Sequence, residues 1–177
     1  MTAGWTFSAR SGVQKNGSPF AAEPAPEGVQ TAFLQSVNGN HGQITQTVNF
    51  LTAGTYTLSF QAAKRTASGG TQSFDVYFDT TLIGSYMPTS GSFTTYTTDS
   101  FAASAGSHTI QFIGTSTTGD NTAFIDEVTI QEDQPAASPA EIANAGFEEP
   151  ATANYQVGPM TAGWTFSARS GVQKNGS

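Results

Sequence analysis

Few side chains in this sequence could do chemistry. There are two histidines and no cysteine, so imidazole proton transfer is open at two places and thiolate chemistry at none. His41 falls in the turn-like stretch NGNHG and His108 at the start of a strand-like run. Neither stands in a nucleophile motif with a serine, and both read as surface residues. Asp75 and Asp79 form a carboxylate pair, but at i, i+4 on a strand they share one face ~13 Å apart, at ~3.3 Å per residue. Glycosidic hydrolysis needs a closer pair. Gly69 and Gly70 belong to a hairpin-like connection, not to a phosphate-cradling loop. The expectation is a protein that binds or builds, and no enzyme.

The elements that must position these residues are strands. Only 11% of the 177 residues are charged, while Thr, Ser, Gly, Ala and Gln dominate. That balance disfavours surface helices and suits hydroxyl-faced strands joined by tight turns. Thirteen Phe supply core bulk. Strand patterns fall at 30–37, 43–51, 55–63, 73–79, 81–86, 93–101, 108–115 and 122–131. In TYTLSFQAA, Tyr56, Leu58 and Phe60 face one way and Thr57 and Ser59 the other; in SFDVYFD, Phe74, Val76 and Phe78 face inward. Eight or nine strands with no helical period predict an all-β, two-sheet antiparallel sandwich.

Charge narrows the partners. A net charge of −7 with six Lys+Arg cannot neutralise a phosphate track, which argues against nucleic acid. It is compatible with cations and neutral polysaccharide. The apolar runs are too short to span a bilayer, and no basic-then-apolar signal pattern opens the sequence; an export signal is expected outside this stretch. The absence of cysteine fits a bacterial extracellular domain without establishing one.

Residues 1–18, MTAGWTFSARSGVQKNGS, recur unchanged at 160–177, a spacing of 159 residues. Two origins fit: an array of near-identical modules cut out of register, or an engineered permutant carrying one segment twice. Residues 131–143, QEDQPAASPAEIA, read as a Pro/Ala-rich linker. The division expected is therefore 1–130 as the sandwich body, 131–143 as linker, 144–159 as the first strand of the natural unit and 160–177 as the second copy. On this reading the domain is circularly permuted. A duplicated strand-forming segment also opens a route to head-to-tail self-association.

Read from Asn144, the motifs run NAGFEEP, Gly-Trp, QTAFLQSV, TAGTYTLSFQAAKR and TAFIDEVTI. This order resembles the galactose-binding-like jelly rolls, especially bacterial carbohydrate-binding modules and the related plant cell-wall domain of unknown function. The resemblance covers nearly the whole 159-residue unit and implies a jelly-roll sandwich. It further implies a structural Ca²⁺ site where the opening Phe-Glu strand meets the closing Ile-Asp strand. By position, Glu148 and Asp126 would be ligands, with Glu149 and Glu127 as helpers, in keeping with the oxygen preference of calcium. The alternative is that these are ordinary solvated acids. The Gly-Trp tryptophan (Trp5, Trp164) matches the family's core Trp, so it is expected in the core. Sugar contacts are expected from Tyr77, Tyr86, Tyr96 and Phe93, with Arg10, Lys64, Arg65 and Gln72 as hydrogen-bonding partners to a polysaccharide or cell-surface glycan. Each Tyr has the plainer alternative of covering its sheet. The resulting expectation is a non-catalytic, calcium-stabilised, carbohydrate-binding-type module of a secreted or surface tandem-repeat protein, with a spacer or fibre subunit as the alternative.

Overall fold

The structure, a computed structural model, describes residues 4–67, 69–135, 155–157 and 171–173. The chain forms two units, Met1–Ala136 and Ala137–Ser177. Among the described residues every regular element is a strand.

In the first unit these are β1 (Trp5–Phe7), β2 (Ser11–Lys15), β3 (Gln30–Val37), β4 (Asn40–His41), β5 (Gln43–Phe50) and β6 (Gly54–Lys64). After them come β7 (Phe74–Phe78), β8 (Thr81–Tyr86), β9 (Thr94–Thr97), β10 (Phe101–Ala103), β11 (Gly106–Gly114) and β12 (Asp120–Pro135). They make two antiparallel sheets. One has the order β1-β5-β11-β7-β8; the other runs β10-β6-β12-β3-β2, with β4 pairing β3 and β9 pairing β6. The expected all-β sandwich is the fold. In the second unit β13 (Tyr155–Val157) pairs antiparallel with β14 (Gly171–Gln173).

Alternation along each strand sends one row of apolar side chains between the sheets. Leu58, Phe60 and Ala62 of β6 meet Phe74, Val76 and Phe78 of β7 and Ile110 and Phe112 of β11, all buried. Phe112 packs edge-on against Phe60 at 5.3 Å between ring centroids. Burial of each such ring stabilises the fold by roughly 1.5–3 kcal/mol. The β3–β4 hairpin turns at Asn38 and Gly39, both at positive φ (48° and 80°). That is the type I′ geometry for which Asn-Gly is the preferred pair, and it sets the register of Val37 opposite Asn40.

Three sequence expectations differ from the structure. β1 and β2 lie in the stretch read as strand-forming but given no strand positions; β1 is three residues long and the turn at Ser8–Arg10 follows at once, too little for a period to show. The single strand expected at 93–101 is two, because the Thr98 hydroxyl accepts the Leu58 N–H (3.1 Å) at the break. The expected linker begins too early, since β12 runs on to Pro135. Its polar end holds because Asp133 accepts the hydroxyls of Thr57 (2.5 Å) and Ser100 (2.7 Å), which keep its carboxyl below the usual carboxylate range. A composition rich in Gln and acid conceals a strand whose partners are hydroxyls.

Candidate functional site

The outer face of the five-stranded sheet is largely polar and carries one aromatic, Tyr77. Register lines up Thr45 of β5, Gln111 of β11, Tyr77 of β7 and Leu82 of β8 in one row. The neighbouring row is Gln43, Ile113, Asp75 and Ser85. Gln43 donates to Gln111 Oε1 (2.9 Å), and the Ser85 hydroxyl donates to Asp75 Oδ1 (2.6 Å). The Tyr77 hydroxyl reaches to 3.5 Å from Asp75 Oδ2. Tyr77 is half-buried and Leu82 beside it is 49% exposed. A partly exposed ring ringed by amides, a carboxylate and hydroxyls has the mix of apolar platform and directed polar groups that a pyranose needs.

The other sequence-derived ligand residues are placed differently. Tyr86 and Tyr96 pack on the edge of the core against Phe60, with their own rings 5.6 Å apart. Tyr86 donates its hydroxyl to the Thr97 carbonyl (2.8 Å), and burial, with Asp99 adding to it, pushes its phenol up to about 12. These two rings cover the sheet; they are not outward platforms. Gln72 is fully buried and cannot meet a surface ligand, its amide donating to the Ser73 carbonyl. Arg65 lies 5.0 Å from the Phe20 ring and 3.8 Å from Asp120, with only 15% of its side chain exposed. Lys64 is half-buried at the end of β6, Phe93 half-buried just ahead of β9, and Arg10 exposed between β1 and β2. Tyr77 alone of the three tyrosines stands on an outer face.

Asp79 leaves the strand altogether. It occupies the β7–β8 turn at φ 51°, so it does not share a strand face with Asp75. There it holds His108, whose Nδ1 is 2.8 Å from Asp79 Oδ2 while Nε2 lies 3.1 Å from Ser104 Oγ. His108 also stacks on Phe78 at 4.8 Å. The histidine therefore bridges two turns, a contact that neither sequence neighbourhood announces. The Ser104 carbonyl is 3.0 Å from the same Nε2, so the ring can be held by main chain as well as hydroxyl.

A concave region lies between the sheets. Trp5, Phe7, Val13, Ile44, Phe112 and Val128 line a cleft of about 310 Å³ whose mouth carries Glu27, Asp126 and Glu127. Trp5 is half-buried, packs against the core and tilts on Phe112 at 6.2 Å between centroids, so the Trp expected in the core stands at its edge as a cleft wall. The β12 register shifts between Asp126 and Thr129, and Glu127 takes φ 46° in that bulge. Asp126 Oδ2 accepts the Glu27 N–H (3.1 Å), yet burial holds its carboxyl above the ordinary value, with neighbouring Glu127 adding to the shift. Among the described residues no group of three carboxylates or histidines could hold a metal. Asp126 and Glu127 alone fall short of the six to eight oxygens calcium takes. Glu148, Glu149 and Trp164 lie outside the described residues, as does the NAGFEEP segment.

No protein-family profile and no curated protein matches the chain. Solved structures do match. The CBM22-1 xylan-binding domain of Xyn10C from Paenibacillus barcinonensis aligns with a TM-score of 0.54 at 15% identity, covering 76% of this chain and 89% of that one. The TmCBM61 module, solved with β-1,4-galactotriose, aligns at 0.53 and 17% identity over 73% and 88%. The chain shares the β-sandwich fold of these two modules. The tandem CBM22-1–CBM22-2 domain of the same Xyn10C aligns at 0.55 and 15% identity, covering 81% of this chain and 45% of its own. At these identities the likeness establishes the jelly roll, and the ligand has to be argued from the surface.

Proposed function

We propose that this chain is a non-catalytic carbohydrate-binding module of a secreted or surface-exposed tandem-repeat protein, and that its sugar platform is the outer face of the five-stranded sheet around Tyr77. The observation that carries the reading is the row Thr45–Gln111–Tyr77, an aromatic ring set among hydrogen-bonding side chains on the outer face of the sheet. The fold shared with modules described as xylan-binding or bound to β-1,4-galactotriose directs the first trials to those two polysaccharide classes.

Calcium belongs to the same proposal as a structural ion. Asp126 is a desolvated carboxylate beside Glu127, and a cation would relieve the charge that burial penalises there. Glu148 and Glu149, named as ligands by the same resemblance, lie outside the described residues.

Affinity electrophoresis in xylan and in β-1,4-galactan, with calcium or with chelator, tests the reading. Retardation on one of them, lost in Tyr77→Ala at unchanged melting temperature, is the expected result. Unretarded migration of the wild type on every polysaccharide tried would sink it.

A further inference from the structure

The segment 160–177 repeats 1–18 residue for residue, and the structure shows what the first copy does. Trp5–Phe7 lies along β5, Trp5 opposite Gln46, and Ser11–Lys15 lies along β3, Val13 opposite Ala32. Both strands are terminal in their sheets, each paired on one side only. β1 is three residues long, and Val13 is 41% exposed beside the cleft. The seat along β5 and β3 is thus held by a short, peripheral segment.

The second copy is an equally good occupant by identity of sequence, and it brings something more. Its Gly171–Gln173 already forms a strand and takes Tyr155–Val157 as antiparallel partner, with Val172 opposite Gln156. The same tripeptide in the first copy, Gly12–Gln14, takes Thr31–Phe33. One Gly-Val-Gln is a strand in both settings and accepts two different partners. A ribbon of β14 with β13 seated along β3 would keep both and extend the seven-stranded sheet by a strand.

We propose that this seat exchanges between molecules: Trp164–Lys174 of a second copy of the chain replaces Trp5–Lys15 along β5 and β3. Each molecule offers one seat and carries the occupant's sequence twice. The contact is heterologous, and repeated it gives an open head-to-tail chain of molecules. The covalently attached first copy competes at an effective concentration in the millimolar range, so assembly rises with protein concentration. The added strand of the ribbon is what favours the incoming copy.

The chain has no cysteine, which makes the test clean. Thr6 and Thr45 are cross-strand partners, and Thr165 is the second copy's Thr6. A Thr6→Cys/Thr45→Cys chain, oxidised, should close a disulfide within one molecule and reports that the seat is intact. Mixing a Thr45→Cys chain with a Thr165→Cys chain should then yield a covalent pair of twice 18.4 kDa, increasing with concentration. In light scattering, Trp164→Ala should raise the concentration of half-association by about tenfold, as loss of an aromatic anchor packed on the core does. Trp5→Ala should leave association intact or promote it by weakening the resident copy. The proposal is overturned by a strictly monomeric wild type at millimolar concentration. It is equally overturned by failure of the mixed pair to cross-link while the control closes, or by a monomeric disulfide within a Thr45→Cys/Thr165→Cys chain.

Discussion

His108 Nδ1 lies 2.8 Å from Asp79 Oδ2, across two turns that are twenty-nine residues apart in sequence. Asp79 Oδ1 accepts the Thr109 N–H (2.8 Å), so one carboxylate ties the β7–β8 turn to the start of β11. The hydrogen bond raises the His108 pKa above its ordinary 6.5 and lowers that of Asp79 below 3.8.

The pH dependence follows from those two directions. The raised histidine contributes stability that is complete below 6.5 and fades as pH climbs through its folded value. The lowered aspartate contributes stability that is complete above 3.8 and fades as pH falls through its folded value. The pair therefore helps most between 3.8 and 6.5. Melting temperatures should decline above pH 6.5 in the wild type, and that decline should flatten in His108→Gln. An identical pH profile in the variant would show that the bridge is energetically idle.

Asp126 carries the opposite sign. Its carboxyl is raised by burial, so the penalty for ionising it is absent below 3.8 and complete above its folded value. In chelator at neutral pH, Asp126→Asn should melt higher than the wild type. In millimolar calcium the order should reverse, because only the carboxylate can serve as a strong ligand. Thermal unfolding under both conditions reads the crossover; the same order in both would remove the ion from the account.

Phe112 is fully buried and packs on Phe60, Phe74 and Trp5. Phe112→Ala should cost about 3–5 kcal/mol in chemical denaturation, from lost transfer energy and the cavity left behind. Tyr77→Ala, on an outer face, should stay within about 1 kcal/mol while abolishing polysaccharide retardation. A comparable loss of stability in both would mean that Tyr77 is a structural residue.

Gly42 joins β4 to β5 with its carbonyl accepting the Gly114 N–H (3.1 Å) and its own N–H donating to Gln35 O (2.7 Å). A Cβ there would run into the carbonyl oxygen of Arg10, which is backbone and held by the Gln35 N–H (2.9 Å). Gly42→Ala should therefore destabilise by about 1–3 kcal/mol, as overpacking does. A neutral variant would place the Ser8–Arg10 turn among the easily displaced parts of the fold.

Much of the sandwich was legible in advance because period-two alternation is local. β3 and β8 lie where alternation and turn residues put them, and Asn38-Gly39 turns as its composition requires. The site was less legible. Tyr77 projects outward as the alternation of SFDVYFD requires, whereas nothing in GSYMP or TTYTT shows that Tyr86 and Tyr96 lean on Phe60. Gln72 looks like a loop amide and is wholly enclosed.

By itself, the order of residues determined the class of fold, the exact repetition of eighteen residues and the poverty of catalytic groups, since these are properties of composition and short-range pattern. Only the folded sandwich decided that Tyr86 and Tyr96 lean on the core, that Asp126 is half-buried at a cleft, and that His108 meets Asp79. Each depends on which strands become neighbours across a sheet or between sheets. Pairing of that kind joins residues tens of positions apart, and no local period records it.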